Sequence, residues 1–176
     1  MTSGRRTVLI TGNPGSGKTT MAAELIRLGH DAIDADDEIA RWEDGPDGRR
    51  WTWDRGRLER AIRLTSGLFV CGIAINMRDM LDLFDQVFLL SIDAATQIER
   101  LESAGDRDPS LWQPIIDGRR VFEEEMKTAG ATVLDGRRTP AELASQIVPA
   151  RSACLRSSAD ASADSGMSVD ALRSAG

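Results

Sequence analysis

Gly12-Asn13-Pro14-Gly15-Ser16-Gly17-Lys18-Thr19-Thr20 fits the pattern G-x-x-x-x-G-K-[ST], and its flanks decide how it folds. Arg6-Thr7-Val8-Leu9-Ile10-Thr11 precedes it and is apolar and β-branched, which predicts a buried parallel strand. Thr20 to Leu28 follows, with Met21, Leu25 and Leu28 at helical spacing. Strand, glycine-rich loop and helix are what a phosphate cradle needs. The glycines let backbone N–H groups turn inward without Cβ clashes. The helix directs its positive end at the same point. Lys18 supplies a point charge for β- and γ-phosphates, and the Thr19 hydroxyl is a ligand for Mg²⁺. The chain holds twenty arginines and only two lysines, Lys18 and Lys127, so a lysine at the motif position is hard to assign to chance. A nucleoside triphosphate, ATP, is the expected ligand.

The 176 residues favour one domain with a real core. The formal charge of −6 does not suit a nucleic-acid binder that works by phosphate neutralisation. The two cysteines, Cys71 and Cys154, form no CxxC or Cys/His pattern, which fits a reducing cytoplasm and no zinc site. Room for a signal peptide before the first strand is not expected. No apolar run reaches the roughly 18 residues of a membrane span.

His30 to Asp34 reads as a second strand after a helix stop at Gly29. Asp34 and Asp36 alternate at its carboxyl end, where ligands sit in an open parallel sheet. They would hold a substrate hydroxyl or bind Mg²⁺ through water. Asp37 is assigned most of the capping of a helix expected near Glu38-Ile39-Ala40. Next come a turn at Gly45-Pro46-Asp47-Gly48, three tryptophans (Trp42, Trp51, Trp53) and a helix from about Asp54 to Leu64. The tryptophans would stack on a flat substrate or form the small core of an insert. Arg55, Arg57 and Arg60 are candidates for an anionic acceptor or simply solvated charges.

Leu68 to Cys71 is a third, fully buried strand. A motor ATPase carries an acid at its end, and here Cys71-Gly72 stands there, which argues against an efficient hydrolase. Gly72 would let a substrate approach the backbone. Asn76 would offer an amide to the acceptor or cap a helix Met77–Leu83, the cap being favoured. A fourth strand, Gln86–Leu90, leads to a helix from Ala94 to Ser103 capped by Asp93. Arg100, Arg107, Arg119 and Arg120 flank the loop near Gly105, where lid arginines would stabilise phosphoryl transfer. A helix over about 111–129, a strand Thr132–Asp135, a loop at 135–138 and a helix 140–148 complete the pattern. Half of residues 151–176 are Ser or Ala, and 150–176 read as a disordered tail.

Over residues 5–148 the chain resembles the small P-loop kinases of the nucleoside-monophosphate-kinase and shikimate-kinase class. Asp34-Ala35-Asp36 resembles the D-x-D of shikimate kinases. Arg107-Asp108 with Arg119 or Arg120 resembles the adenylate-kinase lid pattern, and Arg100 sits where those enzymes carry a nucleotide-facing arginine. Gly72 and Asn76 with Phe84 to Leu90 are most similar to bacterial nucleoside- or nucleotide-kinase-like ATPases of the AAA-type ATP-binding proteins. The resemblance implies a three-layer α/β/α P-loop NTPase fold with a five-stranded parallel sheet. It places the kinase domain at 1–149, an acceptor insert at about 37–64 and a short lid at about 104–112. The adenylate-kinase D-G-[FY]-P-R segment and the shikimate-kinase triple glycine are missing. The expected activity is ATP- and Mg²⁺-dependent phosphoryl transfer to a small acceptor, nucleoside or nucleotide first, shikimate- or gluconate-type second. Lys18, Asp34, Arg107, Arg119 and Arg120 are the catalytic candidates. Gly12 to Thr20 and Arg100 would hold nucleotide, Asp34, Asp36, Arg60, Gly72 and Asn76 the acceptor, and Thr19 and Asp36 the metal. The alternative from another class is a slow ATP-dependent switch. The sequence leaves the oligomeric state open.

Overall fold

Strand β1 (Arg6–Thr11) has a hydrogen-bonded parallel partner on each side, and the rest of the fold is arranged about it. The computed structural model describes residues 6–46, 48–105 and 109–148, with side chains from 113 onward in the last segment. The loop after β1 runs into α1 (Lys18–Arg27). Then follow β2 (Ala32–Asp34), the single-turn helix α2 (Ala35–Glu38), β3 (Ala40–Gly45), β4 (Gly48–Trp53), α3 (Arg55–Leu64) and β5 (Gly67–Cys71). A 3₁₀ helix (Met77–Leu83) leads to β6 (Gln86–Ser91), α4 (Ala94–Ser103), α5 (Pro109–Thr128), β7 (Thr132–Asp135) and a last helix α6 over 140–148.

The main sheet has the order β2-β5-β1-β6-β7, and all of its pairings are parallel. From β1 the chain steps outward to β2, returns to β5, then crosses to β6 on the other side. The order therefore reverses at β1, and the crevice of such a sheet opens at the carboxyl ends of the strands there. The glycine-rich loop begins at that point.

Alternation along the strands builds the layers. Val8 and Ile10 of β1, Phe69 and Cys71 of β5, and Phe88 and Leu90 of β6 pack with Met21, Leu25, Leu143 and Ile147 of α1 and α6. Leu9, Leu68, Val70 and Leu89 point the other way and pack with Leu58, Met77, Met80 and Met126. Two buried faces explain why these strands read as continuous apolar runs rather than alternating ones. No helix among the described residues is long and apolar enough to cross a membrane.

The insert departs from its sequence reading. The helix expected near residue 38 starts at Ala35 and lasts one turn. Its N-cap is Asp34, whose carboxylate accepts from the Asp36 N–H at 3.1 Å, so capping is not the work of Asp37. β3 and β4 then form an antiparallel hairpin, with Trp42 opposite Trp51 and Gly45 opposite Gly48. Gly48 takes φ +112°, a left-handed value that favours glycine. Asp47 in that turn lies outside the described residues.

Candidate functional site

The loop between β1 and α1 curls because Gly15 and Gly17 take φ of +81° and +100°. Gly12 has a different reason for being glycine. A Cβ there would come within 2.6 Å of the Leu90 carbonyl and 2.5 Å of Ser16 Oγ, so the loop lies directly on β6. Helix α4 holds the loop from outside. Gln97 Nε2 donates to the Pro14 carbonyl at 3.0 Å, and Arg100 Nη1 donates to the carbonyls of Gly15 and Gly136 at 3.0 Å each. Arg100 thus ties the loop to the segment after β7. Gly136 in turn has no room for a Cβ, which would lie 3.0 Å from the Ser16 carbonyl.

The loop is one wall of a cleft of about 570 Å³. Pro14 to Met21 line it together with Asp36 and Ile73, and with Arg100, Ala104, Gly136, Arg138, Pro140 and Leu143. Lys18 is only 7% exposed, and its Nζ donates to the Asn13 carbonyl at 3.2 Å. Burial lowers its pKa from the usual lysine value, with Asp36 first and then Asp34 pulling the other way. Asp36 moves in the opposite sense. Burial raises its pKa, while the Ile73 N–H on its Oδ1 at 3.1 Å and the Lys18 cation resist the rise. Lys18 therefore feels both carboxylates after β2, of which Asp36 lines the cleft.

At the end of β5, Cys71 is buried and free, and burial pushes its thiol pKa well up, so it is a neutral apolar filler. Gly72 does not serve as a free surface for substrate. A Cβ there would lie 2.8 Å from Trp53 Cζ2 and 3.0 Å from Asp36 Oδ1, so those two side chains already fill the space. The Trp53 indole is 2% exposed, and its N–H helps hold the Asp36 pKa down without reaching direct hydrogen-bonding geometry. Trp53 is a part of the site that the sequence reading treated only as a member of an aromatic group.

Asn76 stands at the N-cap position of the 3₁₀ helix, as expected, but its side chain makes no capping bond and is not a free amide. Its Oδ1 accepts from the Trp53 N–H at 2.8 Å, and its Nδ2 donates to the Trp53 carbonyl at 3.0 Å. The amide imitates a strand and fastens the end of β4 beside β5. Asn76→Ala leaves both Trp53 backbone groups without this partner and is expected to cost about 1–3 kcal/mol. Urea unfolding of the two proteins measures it, and an unchanged midpoint would remove this role.

The other arginine candidates are placed elsewhere. Arg60 is exposed on the face of α3 turned away from Leu58 and Ile62, and it does not line the cleft. Arg119 Nη1 donates to the Ile92 carbonyl at 3.1 Å and to Glu123 at 3.0 Å, with Ser91 Oγ donating to the same Glu123 oxygen. It pins α5 to the end of β6 and lines a separate cavity with Asp93, Asp135 and Arg137. Arg120 is exposed beside Arg78 and Glu124 on α5's outer side. Arg107, with residues 106–108 of the expected lid, lies outside the described residues, as do residues 149–176, which include the expected tail. Arg138 lines the cleft although only its loop was noted in the sequence. Its signal was position alone, after the last strand.

No family model matches the sequence, and no curated protein does. Solved structures do. The chain is similar to deoxyadenosine kinase from M. mycoides with bound dATP, with a TM-score of 0.54 at 14% identity, over 83% of this chain and 99% of that one. It is similar to shikimate kinase from Acinetobacter baumannii in complex with shikimate, with a TM-score of 0.54 at 17% identity, over 83% and 92%. The chain has the small P-loop kinase fold. A structure from Thermus thermophilus gives a TM-score of 0.53 at 18% identity, over 84% and 97%. The three-layer sandwich around a five-stranded parallel sheet is thus a P-loop kinase architecture, with the β3–β4 hairpin lying between β2 and β5 in the chain.

Proposed function

We propose that the protein is a small-molecule kinase that moves the γ-phosphoryl group of ATP to a hydroxyl-bearing acceptor. The observation that carries this is the placement of Asp34 and Asp36 against Lys18, while the end of β5 offers only Cys71 and Gly72. The carboxylates stand at the acceptor side of the loop. An ATPase built to activate water needs its acid at the end of β5.

In this reading each residue of the cleft has a role. The loop N–H groups and the α1 N-terminus receive the phosphates. Lys18, desolvated before nucleotide arrives, gains its counter-charge from the β- and γ-oxygens. Asp34 orients the acceptor hydroxyl and takes its proton. Arg100 keeps the loop in register with the wall that carries Arg138 and Leu143, where the nucleoside part of ATP fits.

The donors present fit Mg²⁺. Thr19 offers an exposed hydroxyl and Asp36 a carboxylate in one cleft, both hard oxygen ligands. Among the described residues no group of three or more His, Cys, Asp or Glu could hold a metal. An ion here would therefore be shared with phosphate oxygens and waters, as Mg²⁺ prefers. When bound it neutralises charge on the transferred group.

Release of ADP with and without added acceptor tests the proposal. A kinase consumes ATP much faster with its acceptor, whereas a slow switch turns over at the same low rate whatever alcohol is added. Asp36→Asn sharpens the test. The amide oxygen still accepts from Ile73, so the fold should survive, while the lost charge is expected to lower kcat/KM about 100-fold and raise the Mg²⁺ requirement. Unaltered turnover in this variant would remove Asp36 from the chemistry.

A further inference from the structure

The hairpin beside the cleft identifies the kind of acceptor, on the footing of the kinase reading above. Side chains two apart on a strand share a face, so Trp51 and Trp53 lie on one side of β4. Trp42 is opposite Trp51 and Ala40 opposite Trp53 in the ladder, which puts Trp42 on that side as well. The rings of Trp42 and Trp51 are 5.1 Å apart between centroids and tilted by 59°. The inner end of this strip is Trp53, packed on the Gly72 and Ala35 positions beside the Asp36 carboxylate. Two strand residues span about 7 Å, so Trp51 and Trp42 continue the wall outward from the carboxylates. Ile75 ties the segment after β5 to the strip, its N–H donating to the Trp51 carbonyl at 3.1 Å, and Ile73 of the same segment lines the cleft.

The inner and outer ends of the strip differ in burial. Trp53 is core. Trp42 is 55% exposed, with Arg49 laid over its ring at 5.4 Å. The exposed part of this aromatic pair, on a strip whose inner end abuts the cleft-lining Asp36, offers a π-face to a ligand beside Arg49.

Charge narrows the choice. An acceptor bearing a phosphate or carboxylate needs a cation to hold it. Four of the described arginines of this region are held by carboxylates. Arg41 is paired with Glu43 and Asp54 at 2.7 Å each, and Arg55 with Asp82 at 2.7 Å and Glu59 at 3.0 Å. Arg63 is paired with Glu59, and Arg78 with Glu125. Arg49 lies on Trp42 and faces Asp44 across the ladder. Arg57 and Arg60 are exposed on α3. What lies at the inner end of the strip is the Asp36 carboxylate, which would repel an anion.

We propose that the acceptor is an uncharged alcohol carrying a flat ring, with the ring against Trp42 and Trp51 and the hydroxyl at Asp34 and Asp36. In the transfer the acceptor oxygen forms its bond to the γ-phosphorus as the bond from that phosphorus to the β–γ bridging oxygen breaks. The hydroxyl proton passes to Asp34 and then to solvent, and ADP leaves with the bridging oxygen.

The test is ADP release with five probes: adenosine, cytidine, adenosine monophosphate, shikimate and ribitol. Each is run on the parent, Trp42→Ala and Trp42→Phe. The expected result is stimulation by a nucleoside, little or none by the two anions and by the ring-less ribitol. Trp42→Ala is expected to raise the KM for that nucleoside about tenfold, with the KM for ATP and the melting temperature unchanged, and Trp42→Phe to recover most of the loss. A preference for adenosine monophosphate, shikimate or ribitol overturns this assignment and leaves the kinase reading standing, as does an unchanged nucleoside KM in Trp42→Ala. ADP release that no probe raises overturns the kinase reading and this assignment with it.

Discussion

Lys18→Met is expected to abolish nucleotide-dependent turnover, by about 10²–10³-fold or more, while leaving the ligand-free protein at least as stable as its parent. The two halves have one cause. Lys18 is buried, and without nucleotide its cation has the Asn13 carbonyl and the fields of Asp36 and Asp34 in place of water. Desolvation is the largest influence on it, so the folded protein holds this proton less tightly than the unfolded chain does. A methionine of similar shape removes the desolvated charge and keeps the packing. Part of the gain is offset, because Asp36 loses the cation that opposes its own desolvation. The pH dependence has a definite sign. Between the lowered folded pKa and the unfolded value of about 10.5, the unfolded chain binds one more proton than the folded one. Parent stability relative to the variant therefore rises with pH through that window. Urea midpoints of both proteins at pH 7 and 9.5 give the difference directly. A variant about 2 kcal/mol or more less stable than the parent at pH 7 would contradict a penalty on the buried cation.

The centre of the main sheet was readable in the sequence because β1, β5 and β6 are buried on both faces. Val8-Leu9-Ile10, Leu68 to Cys71 and Phe88-Leu89-Leu90 carry no polar residue that could confuse the period. The phosphate loop was readable because its glycines answer to backbone geometry alone, Gly15 and Gly17 through positive φ and Gly12 through contact with β6. The hairpin was not. Arg41, Trp42, Glu43 and Asp44 are all exposed, so β3 has no alternation to detect, and the register is set by the turn and by Trp42 opposite Trp51. The Asn76 side chain's partner was hidden for a related reason. An Asn before a helical stretch has a local explanation as a cap, and only the long-range return of β4 brings the Trp53 backbone within reach. The arginines show the limit most plainly. Arg100 and Arg119 both follow the end of β6 and both end on backbone carbonyls, yet one clamps the phosphate loop and the other the α5 face. Spacing in sequence does not encode which side of the sheet a helix takes.

Trp53→Ala is expected to be the most destabilising single substitution in the insert, at about 3–5 kcal/mol. The indole is 2% exposed and packs with Ile39, Leu58, Met77 and Met80 in the core layer under α3. Its removal opens a cavity bounded by Gly72, which has no side chain to fill it, and by the Ala35 methyl. The surrounding backbone cannot collapse into the space, because the Asn76 amide fixes both the N–H and the carbonyl of residue 53. A loss of that size is a large part of the 5–15 kcal/mol that typically holds a domain together. Trp53→Phe separates packing from the indole N–H. It keeps most of the apolar volume and is expected to recover more than half of the lost stability, but the Asp36 carboxyl then lacks the N–H that helps hold its pKa down. Trp42→Ala is the control on the same face of the hairpin. Its ring is 55% exposed, and its removal should change stability by no more than about 0.5 kcal/mol. Urea unfolding followed by circular dichroism compares all three. Equal losses at positions 42 and 53 would mean that the hairpin is held by its aromatic surface as a whole rather than by one buried ring and one amide.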